Sequence, residues 1–120
     1  MPTSSVALAI NQVTREKNKA FINSGAGTAD LTGPQCSPNT VHWTYDTVAL
    51  ANGTGGAMVK RGGTTWFFLT ADYAFGQALQ RDTTEVVTKN GGKVIGAVKT
   101  PFPTADFSSF LLQRKGRAPR

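Results

Sequence analysis

Apolar and polar positions along this chain fall into blocks of two kinds, one with helical spacing and one running as short apolar stretches. From Ser4 or Ser5 onward, Val6, Leu8, Ala9, Ile10 and Val13 favour one face of a helix, with either serine as its N-cap. Arg15, Lys17 and Lys19 crowd the end of that helix, where cations complement its dipole. Ala20, Phe21, Ile22 and Asn23 then read as a short strand. It runs into Ser24-Gly25-Ala26-Gly27-Thr28-Ala29-Asp30, whose small residues favour an irregular backbone. A second strand follows from Val41 to Tyr45. Helical spacing returns from Thr47 to about Arg61 through Val48, Ala51, Gly55, Met58 and Val59. Gly53, Gly55 and Gly56 each cost that helix roughly 1 kcal/mol relative to Ala, so close packing must offset them.

The run from Thr64 to Thr70 is apolar on both faces and is expected to be a central parallel strand covered by helices above and below. Asp72 is the expected N-cap of a helix from Ala74 to Lys89, with Ala78, Leu79, Val86 and Val87 facing inward. Gly91-Gly92 ends it ahead of a strand from Val94 to Val98. Pro101 and Pro103 bound a loop, and Asp106 is the expected cap of a last helix carrying Phe107, Phe110, Leu111 and Leu112. The alternation β-α-β-α from Thr64 to Leu112 places its strands parallel with a right-handed crossover, and the fold class is α/β with a parallel sheet.

Composition narrows this picture without changing it. A chain of 120 residues makes one small domain at most. Its formal charge of +6 is concentrated at the end, where Arg114, Lys115, Arg117 and Arg120 stand without an acidic neighbour. The other 112 residues carry nine positive and seven negative charges, so the basic tail is expected to be solvated and no nucleic-acid partner is implied. A lone Cys36 closes no disulfide, and with only His42 beside it no structural zinc site forms. Cys36 therefore reads as filler or bystander, and His42 as a structural residue of an apolar strand. No apolar run reaches the ~18 residues of a membrane span. The first residues lack the basic and apolar regions of a signal peptide, so no export signal is expected in this chain.

The chemistry that remains is binding without catalysis. The sequence contains no Gly-x-Ser-x-Gly elbow and no P-loop, and with one histidine any His-dependent triad rests on His42 alone. Gly25-Ala26-Gly27-Thr28-Ala29-Asp30 begins like a dinucleotide fingerprint but has Asp30 in the sixth place, and Gly33-Pro34 interrupts the helix that should hold a pyrophosphate. In a parallel α/β fold, ligands bind beyond the carboxyl ends of the strands. Ser4 and Ser5, the loop from Ser24 to Thr28, Tyr45 and Asp46, and the segment from Asp72 to Phe75 all fall there. Hydroxyls and free amides on these loops suit a carboxylate, with Tyr73 and Phe75 covering apolar ligand surface. Equally, Ser5 and Asp72 serve as caps and Tyr73 packs. A second reading is a flavodoxin-like α/β enzyme or regulatory domain that binds phosphate at the loop from Ser24 to Thr28.

The strings SSVALAI, INSGAGTADLT, HWTYDTVALANG, WFFLTADYAFGQAL and GGKVIGAVKTPFPTADFSSFLLQ resemble the periplasmic substrate-binding proteins of ABC transporters for branched-chain amino acids, over residues 2 to about 113. The resemblance implies a type I periplasmic-binding-protein fold in which two α/β lobes trap a ligand between them. Residues 1–45 would be the last part of the first passage through lobe one, residues 46–112 the first half of lobe two, and residues 113–120 a basic tail unlike the family. The chain would then be a truncated form of a longer protein. By the same resemblance, Ser4 or Ser5 bonds the ligand α-carboxylate, and Ala26 and Thr28 offer main-chain groups and a hydroxyl. Phe75 stands where relatives often have Tyr, with Tyr73 as a substitute, and Tyr45, Asp46 and Thr47 form the first hinge crossing. Implied as partners are a small amino acid or related carboxylate and a membrane ABC permease, in the periplasm, with no cofactor or metal.

Overall fold

A computed structural model describes residues 3–116, organised around two parallel ladders. Strand β1 (Phe21–Asn23) pairs with β2 (Thr40–His42), with Ile22 opposite Val41. Strand β3 (Thr65–Ala71) pairs with β4 (Lys93–Thr100), with Leu69 opposite Val98. Helix α1 (Ser4–Glu16) precedes the first ladder, and α4 (Ala74–Lys89) makes the crossover of the second. Between the ladders, α2 (Thr47–Leu50), a π-helical segment (Ala51–Gly56) and α3 (Ala57–Lys60) follow one another without a break. Helix α5 (Ser108–Lys115) closes the described chain. The Cα radius of gyration is 16.4 Å. A single compact domain of this length has about 14 Å, so the described residues are more extended than one compact domain, with one body of structure around each ladder.

The buried apolar residues are correspondingly split. Ala7, Ala26 and Leu31 form one cluster, with Leu8 and Phe21 packed against it. Ala51, Val59, Ala78 and Val87 are buried in the second body. The glycine-rich helix is held by the close packing its sequence requires: a Cβ on Gly55 would stand 3.4 Å from Thr83 Cγ2 on α4. At Gly76 a Cβ would overlap the Ala71 carbonyl oxygen, so only glycine lets α4 start this close to the end of β3.

Parallel pairing, the α/β order and the span of α4 agree with the sequence reading, but several local expectations do not. The apolar stripe of α1 faces outward: Val6, Ile10 and Val13 are exposed, whereas Ser4, Ala7 and Asn11 are buried. A helix buries the face its neighbours cover, and here β2 and the loop around Gln35 reach the polar one. Asn11 donates to Gln35 O at 2.7 Å and accepts from Thr40 Oγ1 at 2.5 Å. Neither Ser4 nor Ser5 caps α1; Thr3 is the N-cap, and its side chain makes no capping bond. Strand β2 ends at His42, which leaves Trp43 outside it with 76% of its surface exposed. Strand β3 is not central among the described residues, having β4 as its one strand neighbour, and Leu69 is exposed. Tyr73, not Asp72, is the N-cap of α4; Asp72 Oδ1 instead accepts from Gln77 Nε2 at 2.9 Å. Phe107 takes the cap position of α5, one residue after Asp106, whose Oδ1 nonetheless accepts from Ser108 N at 2.9 Å. No residue of α5 is buried, and Leu111 and Leu112 face solvent. Of the basic tail, Arg114 and Lys115 lie in α5, and residues 117–120 lie outside the described residues.

Candidate functional site

Four loops meet beside the first ladder. The floor begins at the N-terminus of α1, where Ser4 is the first helical residue and only 2% exposed. Its hydroxyl is buried with no hydrogen-bond partner among the described residues. The first amides of any α-helix also lack intrahelical acceptors, and the dipole makes this end attractive to anions. The helix that Ser4 begins is 13 residues long.

The second wall is the turn after β1, shaped by Asn23. Its buried side-chain amide grips Ala26 twice: Nδ2 donates to Ala26 O at 2.6 Å, and Oδ1 accepts from Ala26 N at 3.0 Å. Gly27 then brings the loop against two rings. A Cβ at that position would lie 2.9 Å from both Phe75 Cε2 and Tyr45 Cε2, so glycine is what permits the contact. Tyr73 sits 6.1 Å from Phe75 between ring centroids and stacks on Phe102 at 4.8 Å, making an aromatic wall. Thr3, Ser4, Gly25, Ala26, Gly27, Tyr45, Tyr73 and Phe75 enclose a cavity of about 170 Å³.

Of the residues expected at the site, Ser4, Ala26, Tyr73 and Phe75 line this one cavity, as does Tyr45 of the hinge segment. Ser5 is exposed and outside the lining. Thr28 is fully buried, and its Oγ1 accepts from Asp30 N at 3.3 Å at the start of a 3-10 turn (Ala29–Leu31). Asp46 Oδ1 caps α2 by accepting from Ala49 N at 2.7 Å. Thr47 lies behind the cavity: its amide donates to Gly27 O at 2.8 Å, its Oγ1 accepts from Ala29 N at 3.1 Å, and its hydroxyl donates to Asp82 Oδ2 at 2.5 Å. The sequence reading covers Gly25 and Gly27 within the loop from Ser24 to Thr28 without singling them out, and it misses Thr3 as a lining residue and Asn23 as the residue that folds the turn. The position of Asn23 at the end of a strand, three residues before Ala26, was the available signal.

Charge gathers around α4. Arg81 Nε is 2.9 Å from Asp82 Oδ1, and Arg81 Nη2 is 3.0 Å from Asp30 Oδ1. The hydrogen bond to Asp82 raises the Arg81 guanidinium above its usual value, partial burial opposes this, and Asp30 adds to the rise.

A larger groove of about 460 Å³ runs along β3, lined by Leu50, Trp66, Phe68 and Leu79 among others. Its Thr70 Oγ1 already donates to Gln80 Oε1 at 2.6 Å. The smaller cavity is the better candidate because Ser4, which lines it, carries a buried hydroxyl without a partner among the described residues, and because it lies at the strand ends, where α/β folds bind ligands. A serine donor, a helix N-terminus and three rings suit an anion attached to an apolar body.

A family model described as a periplasmic binding protein matches residues 1–119. Among solved structures, the chain is similar to a periplasmic binding protein from Burkholderia mallei, with 60% identity and a TM-score of 0.93, covering 96% of this chain. It is similar also to a branched chain amino acid ABC transporter periplasmic ligand-binding protein from Burkholderia xenovorans, with 31% identity and a TM-score of 0.76 over 98% of this chain. A third is an ABC transporter solute binding protein from R. palustris in complex with benzoate, with 27% identity and a TM-score of 0.86 over 94% of this chain. The chain spans 31% of the length of each of these three structures. Comparison with curated proteins gives no match.

Proposed function

The chain belongs to the periplasmic binding protein family, and from that premise we propose that it forms part of a solute receptor that captures a small carboxylate and presents it to a membrane ABC permease. The observation that carries this reading is the Ser4 hydroxyl, buried without a partner among the described residues on a residue that lines the cavity at the N-terminus of α1. Burying an unsatisfied hydroxyl costs about 1–3 kcal/mol, and a ligand carboxylate accepting from it recovers that cost. The α1 dipole favours the same negative group. Ser4 and the turn at Ala26 form the floor, and Tyr73 and Phe75 cover the apolar part of the ligand. The segment Tyr45, Asp46 and Thr47 is the crossing about which the two bodies close, so that capture is a population shift toward the liganded form. Nothing is transformed in this site, and the place of action is the periplasm.

Two sources supply such a carboxylate. The Burkholderia xenovorans relative carries the name of a branched chain amino acid ABC transporter periplasmic ligand-binding protein, and the R. palustris relative was solved with benzoate. Calorimetric titration of the chain with leucine, benzoate and inorganic phosphate tests the proposal. Saturable one-site heat with leucine or benzoate supports it and identifies the source. Heat with phosphate alone, or none with either carboxylate, refutes it.

A further inference from the structure

Asp82 is the one buried ionisable residue among the described residues, only 7% exposed, and it does not line the ligand cavity. A buried carboxylate is retained only where partners replace its water. Its partners here are Arg81 Nε and the Thr47 hydroxyl, and Thr47 leads back to the loop behind the cavity. A hydroxyl has a single proton. Because Asp82 accepts that proton, a Thr47 lone pair is left facing Ala29 N, 3.1 Å away. The Thr47 amide holds Gly27 O, and Arg81 reaches past Asp82 to Asp30 Oδ1. The loop is thus tied at Gly27, Ala29 and Asp30 to α2 and α4, elements of the second body.

We infer that Asp82 and Arg81 are positioning residues, which act through Thr47 and Asp30 to hold the Gly25-Ala26-Gly27 turn where the ligand meets it. The inference rests on the receptor reading for what the turn binds; the tether itself does not depend on it. Asp82 sets the direction of the Thr47 hydroxyl, and that direction decides whether Ala29 N has an acceptor. Losing Asp82 therefore loosens a loop that Asp82 does not touch.

The experiment compares Thr47→Val, Thr47→Ser and Asp82→Asn with the unchanged chain. Amide hydrogen exchange at Ala29 and calorimetric affinity for leucine and benzoate are read, and circular dichroism checks that each variant is folded. Thr47→Val removes the hydroxyl at nearly constant volume and is expected to speed Ala29 exchange and weaken binding, each about tenfold, the effect of one lost hydrogen bond. Asp82→Asn is expected to do the same, and Thr47→Ser, which keeps the hydroxyl, to stay near the parent on both readouts. Parent-like Ala29 exchange in both folded Thr47→Val and Asp82→Asn overturns the inference, as does accelerated exchange with unchanged affinity. If the unchanged chain binds neither carboxylate, the receptor reading fails, while Ala29 exchange still decides whether the tether exists.

Discussion

Asn23 and Ala26 are joined by two hydrogen bonds of opposite sense, the Asn23 amide donating to the Ala26 carbonyl at 2.6 Å and accepting from the Ala26 N–H at 3.0 Å. The pair turns the chain leaving β1 toward α1 and so sets one wall of the cavity. Asn23→Ala strands two backbone groups at a buried residue and is expected to cost about 2–4 kcal/mol, counting 1–2 for each group. Urea denaturation measures this. Asn23→Asp keeps the acceptor and loses the donor, and is expected to fall between the parent and the alanine variant.

Gly27 separates effects on binding from effects on stability. A methyl there meets the outer atoms of the Phe75 and Tyr45 rings at 2.9 Å. Those atoms can swing away, so Gly27→Ala is expected to shift the urea midpoint little. The rings then no longer rest on the loop, and affinity for a small carboxylate is expected to fall about tenfold, near 1.4 kcal/mol. A calorimetric affinity equal to that of the parent would remove the aromatic wall from the account.

Gly76 offers the contrasting case, since its missing methyl would meet backbone. The Ala71 carbonyl oxygen occupies the space a Cβ would need and cannot move without parting β3 from α4. Gly76→Ala is expected to cost about 3 kcal/mol or more. Thermal melting by circular dichroism reads this directly, and a melting temperature within a degree or so of the parent contradicts the packing described.

Much of this fold was legible because it is local. Helix α4 declares itself by apolar spacing and by Gly91-Gly92 at its end, and β3 and β4 by their apolar runs, so the parallel unit follows from order and chirality. The buried face of α1 was not legible: its apolar stripe points outward, and Asn11 faces inward because Gln35 and Thr40 offer it partners. At the site, Ser4, Ala26, Tyr73 and Phe75 could be selected from loop positions and resemblance. The burial of Thr28 and the bond from Thr47 to Asp82, 35 residues away, depend on how two bodies meet, which no local pattern encodes.

Asp106 supplies a prediction in pH. Hydrogen bonds from the Ser108 side chain and backbone hold its carboxyl below the usual value. A depressed acid stabilises the folded form above its unfolded pKa, and that contribution disappears as pH falls through the lower folded value. The start of α5 is therefore expected to be protected at neutral pH and to fray in acid below the ordinary carboxylate range. Ser108 amide exchange, corrected for its intrinsic pH dependence, checks this; protection that persists unchanged to strongly acid pH counts against the cap.

The central claim is that the buried Ser4 hydroxyl awaits a carboxylate, and the difference in affinity between the parent and Ser4→Ala tests it most directly. Titrated with leucine and with benzoate, the parent is expected to bind at least one of them at a single site. Ser4→Ala, folded to the same degree, is expected to bind that ligand about ten- to a hundredfold more weakly, the range for a hydrogen bond to a charged group. Equal affinity in the two proteins would contradict the account.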